Sequence, residues 1–175
     1  MSIIIVGNGT SIKDNQDGKK IDGFDTVLRF NSFKIKGYEQ YTGTKTDIWF
    51  TVNIHHIKNI NTFKEVLFHS WTWNESKCKV YQSILKSRPD CKKITKEFVG
   101  KIYPSVGTAP STGLIAIYKM LERYDDVVIT GFDWWERNEH HYGDNEVRGH
   151  IHNPKKEHEV IQKLIKQNRV KFLNG

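Results

Sequence analysis

The sequence predicts an α/β fold: a single-domain, Rossmann-like unit whose mostly parallel sheet carries helices on both faces. Three observations predict it. Short continuous apolar runs, Ile3–Val6 and Val127–Thr130 among them, have the length and β-branched content of strands buried on both sides. Stretches of helical periodicity fall between such runs, most clearly Ser111–Arg123 and Pro154–Gln167. Strand and helix alternate along the chain, the order in which βαβ units join parallel strands.

Ile3–Val6 is the first strand. Thr26–Phe30 (TVLRF) and Asp47–Thr51 (DIWFT) follow, rich in the β-branched and aromatic residues that strands favour. Glu65–Trp71 reads as a fourth. Glu75–Ser87 reads as a helix with Val80, Ile84 and Leu85 on one face, and Ile102–Tyr103 as a short strand. In Ser111–Arg123, Leu114, Ile117, Tyr118 and Leu121 fall at i, i+3, i+4 and i+7, the apolar stripe of a helix packed on a sheet. Ser111, behind Pro110, is a good N-cap. Val127–Thr130 is a buried strand. Pro154 opens the last helix, where proline is tolerated, and Val160, Ile161 and Leu164 turn inward. Val170–Leu173 closes the chain as a strand. No repeat, low-complexity tract or Pro/Gly-rich linker interrupts this order, so residues 1–175 read as one domain.

The chain has 175 residues, 37% of them hydrophobic and 12% aromatic, enough for one core. No apolar run approaches the ~20 residues that cross a bilayer, and the first strand is too short for a secretory signal. The chain therefore reads as cytoplasmic. Cys78 and Cys91 lack metal-type spacing and read as free thiols of a reducing compartment. The net charge of +7 is unevenly placed. Residues 1–50 hold 7 basic and 6 acidic side chains, residues 51–104 hold 10 and 4, and residues 105–175 hold 10 and 10. The basic middle third suits a polyanion, an acidic glycan or simply a solvated lysine-rich face.

Ligands of open α/β sheets bind at the carboxyl ends of the strands, where five segments carry chemistry. Gly7-Asn8-Gly9-Thr10-Ser11 follows the first strand. Its glycines allow a ligand to approach the backbone, or simply reverse the chain. Asn8 can read a ribose or a base. Ile12 stands where a third glycine would complete G-x-G-x-x-G, which speaks against a dinucleotide and an NAD-dependent oxidoreductase. Asn31, after the second strand, faces the same crevice or caps it. Ser111-Thr112-Gly113 opens a helix, where free N–H groups and the positive dipole end suit a phosphate; an ordinary cap is the alternative. His140-His141-Tyr142-Gly143-Asp144 follows the aromatic pair Trp134-Trp135. Its histidine and tyrosine can donate to a leaving phosphate, and His-His-x-x-Asp also admits a metal, although its spacing matches no known zinc site. His152 precedes the last helix and suits general base work near neutral pH. Glu157, in the first helical turn, could orient it, or cap the helix.

Taken in order, these segments resemble the four sialylmotifs of the eukaryotic-type sialyltransferases, glycosyltransferase family 29. VGNGTS…IDGFDTVLRFN…GYEQYTGTKTD over residues 6–47 resembles the large motif, and PSTGLIAIYKML…VVITGFD the small one. His141-Tyr142-Gly143-Asp144 resembles the third motif, and His152-x4-Glu157 the very small motif. The order agrees along the chain except over about residues 52–103. The resemblance implies a GT-A-like Rossmann variant and a metal-independent, inverting transfer from a CMP-sugar, with no cofactor. Asn8 and Asn31 would contact the nucleotide, with Gly7 and Gly9 beside them. Ser111, Thr112 and Gly113 would hold ribose and phosphate, His141 and Tyr142 would stabilise the departing phosphate, and His152 would take the acceptor proton. The cysteines that are disulfide-linked in the Golgi members are missing from the large and small motifs, and the chain is shorter than typical members.

Three functions follow as expectations. The first is a minimal glycosyltransferase that moves a sugar from a nucleotide sugar, CMP-linked, to a glycan hydroxyl. The second transfers to a hydroxymethylated DNA base, with the basic middle third, Trp71 and Trp73 on the nucleic acid. The third is a nucleotide-binding module without catalysis, in which His152 is incidental.

Overall fold

The computed structural model describes residues 1–52, 59–70, 78–134, 141–142 and 151–175. Seven strands form one sheet: β1 (Ile3–Val6), β2 (Thr26–Phe30), β3 (Ile48–Thr51), β4 (Glu65–Phe68), β5 (Lys92–Lys93), β6 (Val127–Thr130) and β7 (Val170–Phe172). Their order is β5-β4-β3-β2-β1-β6-β7 and every pairing is parallel. The chain walks outward from β1 to β5, then returns to β6 on the other side of β1. That reversal leaves a crevice between the carboxyl ends of β1 and β6, where ligands of doubly wound sheets sit.

Strand side chains alternate between two covered faces. Ile3 and Ile5 point to one face, where they meet α4 (Lys96–Val106), α5 (Thr112–Met120) and α6 (Pro154–Lys166) in the largest core cluster. Ile4 and Val6 point to the other, onto Ile12 of the 3₁₀ turn Thr10–Asp14 and Ile21 of α1 (Gly18–Asp22). Trp49, Val66 and Phe68 meet Tyr81 and Ile84 of α3 (Lys79–Ser87). A short helix α2 (Glu39–Thr42) packs beside α1. In α5, Leu114, Ile115, Ala116, Ile117 and Met120 are all buried, as its apolar periodicity predicts. Cys78 and Cys91 are buried and unpaired. Among the described residues no helix is long and apolar enough to cross a membrane.

Ile102–Tyr103 is not a strand: it lies inside α4. Thr95 caps that helix by accepting the Phe98 N–H at 3.2 Å, and Gly107 ends it in the left-handed conformation at φ 69°. Val99, Ile102 and Val106 turn inward at helical spacing. Glu65–Trp71 forms a strand only over Glu65–Phe68, and residues 71–77, with the start of the predicted Glu75–Ser87 helix, lie outside the described residues.

Candidate active site at the switch point of the sheet

The loops after β1 and β6 cross at van der Waals distance. Gly7 N–H donates to the Thr130 carbonyl at 2.8 Å, and Gly9 N–H to that of Gly131 at 2.9 Å. A Cβ on Gly7 would sit 2.2 Å from the Gly131 carbonyl oxygen, and one on Gly9 2.7 Å from it. The glycines are thus demanded by the neighbouring loop, a constraint that acts before any ligand arrives. Asp133 fastens the crossing: one carboxylate oxygen accepts the Thr10 N–H at 2.9 Å and its hydroxyl at 3.4 Å.

A cavity of about 320 Å³ opens there. From the β1 and β2 side it is lined by Gly7, Asn8, Gly9 and Asn31, and from α5 and α6 by Ser111, Thr112, Gly113, His152 and Glu157. His141 lines it too. Asn8 Nδ2 donates to the Phe30 carbonyl at 3.4 Å, while its Oδ1 is buried without a donor among the described residues. A buried acceptor left open calls for a ligand hydroxyl or amino group. Asn31 both lines the cavity and caps: its Oδ1 accepts the Val52 N–H at 3.0 Å, at a backbone φ of 43°. Beneath them Arg29 is fully buried on β2. Burial lowers its guanidinium to about 10, so it stays charged at neutral pH. It donates to the carbonyls of Thr42 and Lys45 and to the Thr46 hydroxyl, holding the 42–46 loop.

Glu157, read as orienting His152 or as capping its helix, grips Ser111 with its carboxylate, accepting the N–H at 2.7 Å and the hydroxyl at 2.6 Å. Burial raises its pKa, and the two Ser111 bonds and the nearby His152 oppose that rise. The Ser111 hydroxyl also accepts the Leu114 N–H at 3.2 Å as the α5 cap, so its one proton serves Glu157 and is not offered to a ligand. Thr112 lines the cavity next to it. Gly113 is demanded by packing, since a Cβ there would lie 2.7 Å from the Phe132 ring. His152 is held by a backbone group: Nδ1 lies 2.8 Å from the Ala109 carbonyl. A carbonyl only accepts, so Nδ1 is the donor, which in the neutral ring leaves the lone pair on Nε2.

Tyr142, expected on the departing phosphate, is 3% exposed and does not line the cavity. Its hydroxyl donates to the Lys34 carbonyl at 2.7 Å and accepts the Lys34 N–H at 3.3 Å. Its backbone N–H donates to the Asn8 carbonyl at 3.0 Å. These bonds tie Tyr142 to the loops after β1 and β2. His140, Gly143 and Asp144, and with them the His-His-x-x-Asp metal reading, lie outside the described residues, as do Trp71, Trp73 and Trp135. Among the described residues no three His, Cys, Asp or Glu side chains gather as a metal site. Sequence reasoning missed Phe132, Asp133, Trp134 and Ile151, all of which line the cavity. The Trp134-Trp135 pair was the available signal for one of them.

The sequence profile of glycosyltransferase family 29 (sialyltransferase) matches residues 2–69 and 53–169. The chain belongs to glycosyltransferase family 29. Among its relatives in the family is the lactosylceramide α-2,3-sialyltransferase of Rattus norvegicus, 26% identical over 218 residues that cover 98% of this chain and 56% of that protein. Another is the CMP-N-acetylneuraminate-β-galactosamide-α-2,3-sialyltransferase 1 of Gallus gallus, 26% identical over 98% of this chain and 57% of that protein. This family member thus spans a little over half the length of these curated relatives. The fold matches crystal structures of a mammalian sialyltransferase. The TM-score is 0.79 at 21% identity for one, and 0.77 at 20% for its complex with Gal-β1-3GalNAc-ortho-nitrophenol. Each match covers 99% of this chain and 69% of the other.

Proposed function

We propose that this family 29 chain transfers a sugar from a CMP-sugar to an acceptor hydroxyl, with inversion, without a metal ion, and with His152 as the base. The observation that carries the reading is the meeting of Asn8, the Thr112–Gly113 helix opening and His152 around one cavity. In the proposed step, Nε2 of His152 takes the acceptor hydroxyl proton as the oxygen bonds to the anomeric carbon. The bond from that carbon to the CMP phosphate oxygen breaks from the opposite face, and CMP leaves with the electron pair. The N–H groups and dipole at the α5 N-terminus, together with His141, meet the charge that develops on the phosphate. The charged or titratable side chains among the described lining residues are Asp133, Glu157 and the two histidines. Beside two carboxylates, a leaving group with one phosphate is easier to hold than a pyrophosphate. The relatives' names supply the donor class, CMP-N-acetylneuraminate, and galactoside acceptors.

His152→Ala tests the reading. Transfer falls about 10²- to 10⁴-fold, the usual contribution of a positioned base, while CMP affinity stays within about twofold. Unchanged turnover would remove the base and leave a nucleotide-binding module. A thermal-shift panel of CMP, UDP and GDP, each with and without EDTA, tests the donor: CMP stabilises, and EDTA changes nothing. A strict need for Mn²⁺ or Mg²⁺ contradicts the metal-free step.

A further inference from the structure

The proposed ligand is an anion, yet among the described residues no lysine or arginine lines the cavity, while Asp133 and Glu157 do. A permanent positive charge sits one layer deeper. Arg29 is fully buried and pairs with Val6, one residue before Gly7. It directly precedes Phe30 and Asn31, and Gly7, Phe30 and Asn31 all line the cavity. Paired residues of a sheet point to the same face, so its side chain lies on the side of Val6 and Tyr142, beneath the loops after β1 and β2. Nε and Nη2 hold the 42–46 loop, and the guanidinium carbon lies 5.7 Å from the centre of the Phe33 ring. Nη1 is buried without a partner among the described residues. No described carboxylate is in ion-pair contact with it. Asp22, the acid that faces it, is bonded instead to the Thr44 and Lys45 N–H groups and the Thr44 hydroxyl. Holding a loop requires hydrogen bonds, which a neutral side chain also makes. A buried cation with no counter-charge is costly, and loop packing alone does not account for it.

We propose that Arg29 is the counter-charge of the nucleotide phosphate, acting through space from beneath Asn8 and Asn31 without touching the ligand. The α5 N-terminus supplies contacts to the phosphate; Arg29 supplies the net charge that a wall with two carboxylates lacks. Its field passes through protein rather than water, so it is weakly screened and is fixed before the ligand arrives. The group therefore selects by charge: it favours a nucleotide over the neutral nucleoside of the same base. The proposal rests on the nucleotide reading above and adds to it a residue outside the cavity.

The experiment measures the dissociation constants of CMP and of cytidine by calorimetry on the full chain, in the wild type, Arg29→Lys and Arg29→Met. Both substitutions give up the fork that holds the 42–46 loop, but only methionine gives up the charge. A merely structural role therefore moves the two variants together. The expected result is that Arg29→Met shrinks the preference for CMP over cytidine about three- to tenfold, the effect of one charge acting over ~12–25 Å at an effective dielectric constant of ~20. Arg29→Lys keeps that preference within about twofold of the wild type. Equal preferences in the two variants would overturn the proposal. Salt supplies a second measurement that needs no variant. Between about 0.05 and 0.5 M NaCl the wild-type preference holds within about threefold, because a buried charge is little screened. A fall of about tenfold or more would assign the charge to exposed lysines and overturn the proposal, and this titration decides if neither variant folds. A wild-type chain that binds neither CMP nor cytidine would sink the nucleotide reading itself, and the counter-charge with it.

Discussion

Glu157 shows how much one side chain can be asked to do. It is 6% exposed and joins the helix that follows His152 to the opening of α5. Burial raises its pKa above the ordinary 4.5, so the folded chain holds its proton to higher pH than the unfolded chain does. Between 4.5 and the raised value the folded state binds more protons, and this group's contribution to stability falls as pH rises through that window. Glu157→Gln cannot ionise and still accepts the Ser111 N–H. Its stability therefore loses that pH dependence: melting temperatures of variant and wild type converge toward pH 4 and separate in the variant's favour toward pH 7. Curves that stay parallel would show that Glu157 is not desolvated in the folded chain. Tyr142 is a second test at this scale. Tyr142→Phe keeps the ring and removes both bonds to Lys34, leaving that backbone carbonyl and N–H to find new partners. The expected cost is about 1–3 kcal/mol in chemical denaturation. If the hydroxyl also places His141, turnover falls while the CMP dissociation constant hardly moves; equal activity in the variant would reduce Tyr142 to a packing residue.

At the scale of elements, what could be read from sequence was what local patterning controls. β1, β2, β3, β6 and β7 are apolar runs, and α5 and α6 are periodic stripes behind recognisable caps, so their type and place were legible. β5 was not, because Lys92-Lys93 on the sheet edge carry no apolar signal. α1 and α2 have 5 and 4 residues, too few to be stable alone, and they exist because tertiary packing supports them. α4 was hidden by Gly100 and Pro104, both of which read as helix breakers, so its apolar pair Ile102–Tyr103 looked like a strand. The site divides in the same way. Ser111, His152 and Glu157 sit at helix starts that the sequence announces. Asp133 and Trp134 owe their positions to the crossing of two loops far apart in the chain, which no local pattern encodes. Gly100 offers a prediction of its own. Nothing lies within 4 Å of a Cβ built there, and it sits inside α4 on the exposed side. Gly100→Ala raises stability by about 0.5–1 kcal/mol, through the lower entropy of the unfolded chain, as read from urea midpoints. A loss of stability would mean that this turn, four residues before Pro104, is strained in a way the open space does not reveal.

For the whole molecule, the order of the strands matters more than any one of them. The sheet grows outward from β1 to β5 and resumes with β6 on the other side of β1. Everything at the cavity therefore depends on two parts of the chain whose strands pair with each other only at β1 and β6: Asn8 and Asn31 come from one, Thr112, Asp133 and His152 from the other. A nucleotide bound between them would act as a brace. If that nucleotide is CMP, as proposed, then at 100 times its dissociation constant it adds about 2.7 kcal/mol to stability by mass action alone. Amide exchange should slow together in the loop after β1 and at the start of α6, not in one of them. The joint itself is the Gly7–Gly131 crossing, where a Cβ on Gly7 would come within 2.2 Å of a backbone oxygen that no side-chain rotation can move. Gly7→Ala must push β1 and β6 apart at their carboxyl ends, which moves Asn8 away from Thr112 and His152. The expected outcome is a chain less stable by several kcal/mol whose residual folded fraction no longer shows the CMP thermal shift. A Gly7→Ala protein with the wild-type melting temperature and an undiminished response to CMP would show that the two loops need not touch for the nucleotide to bind.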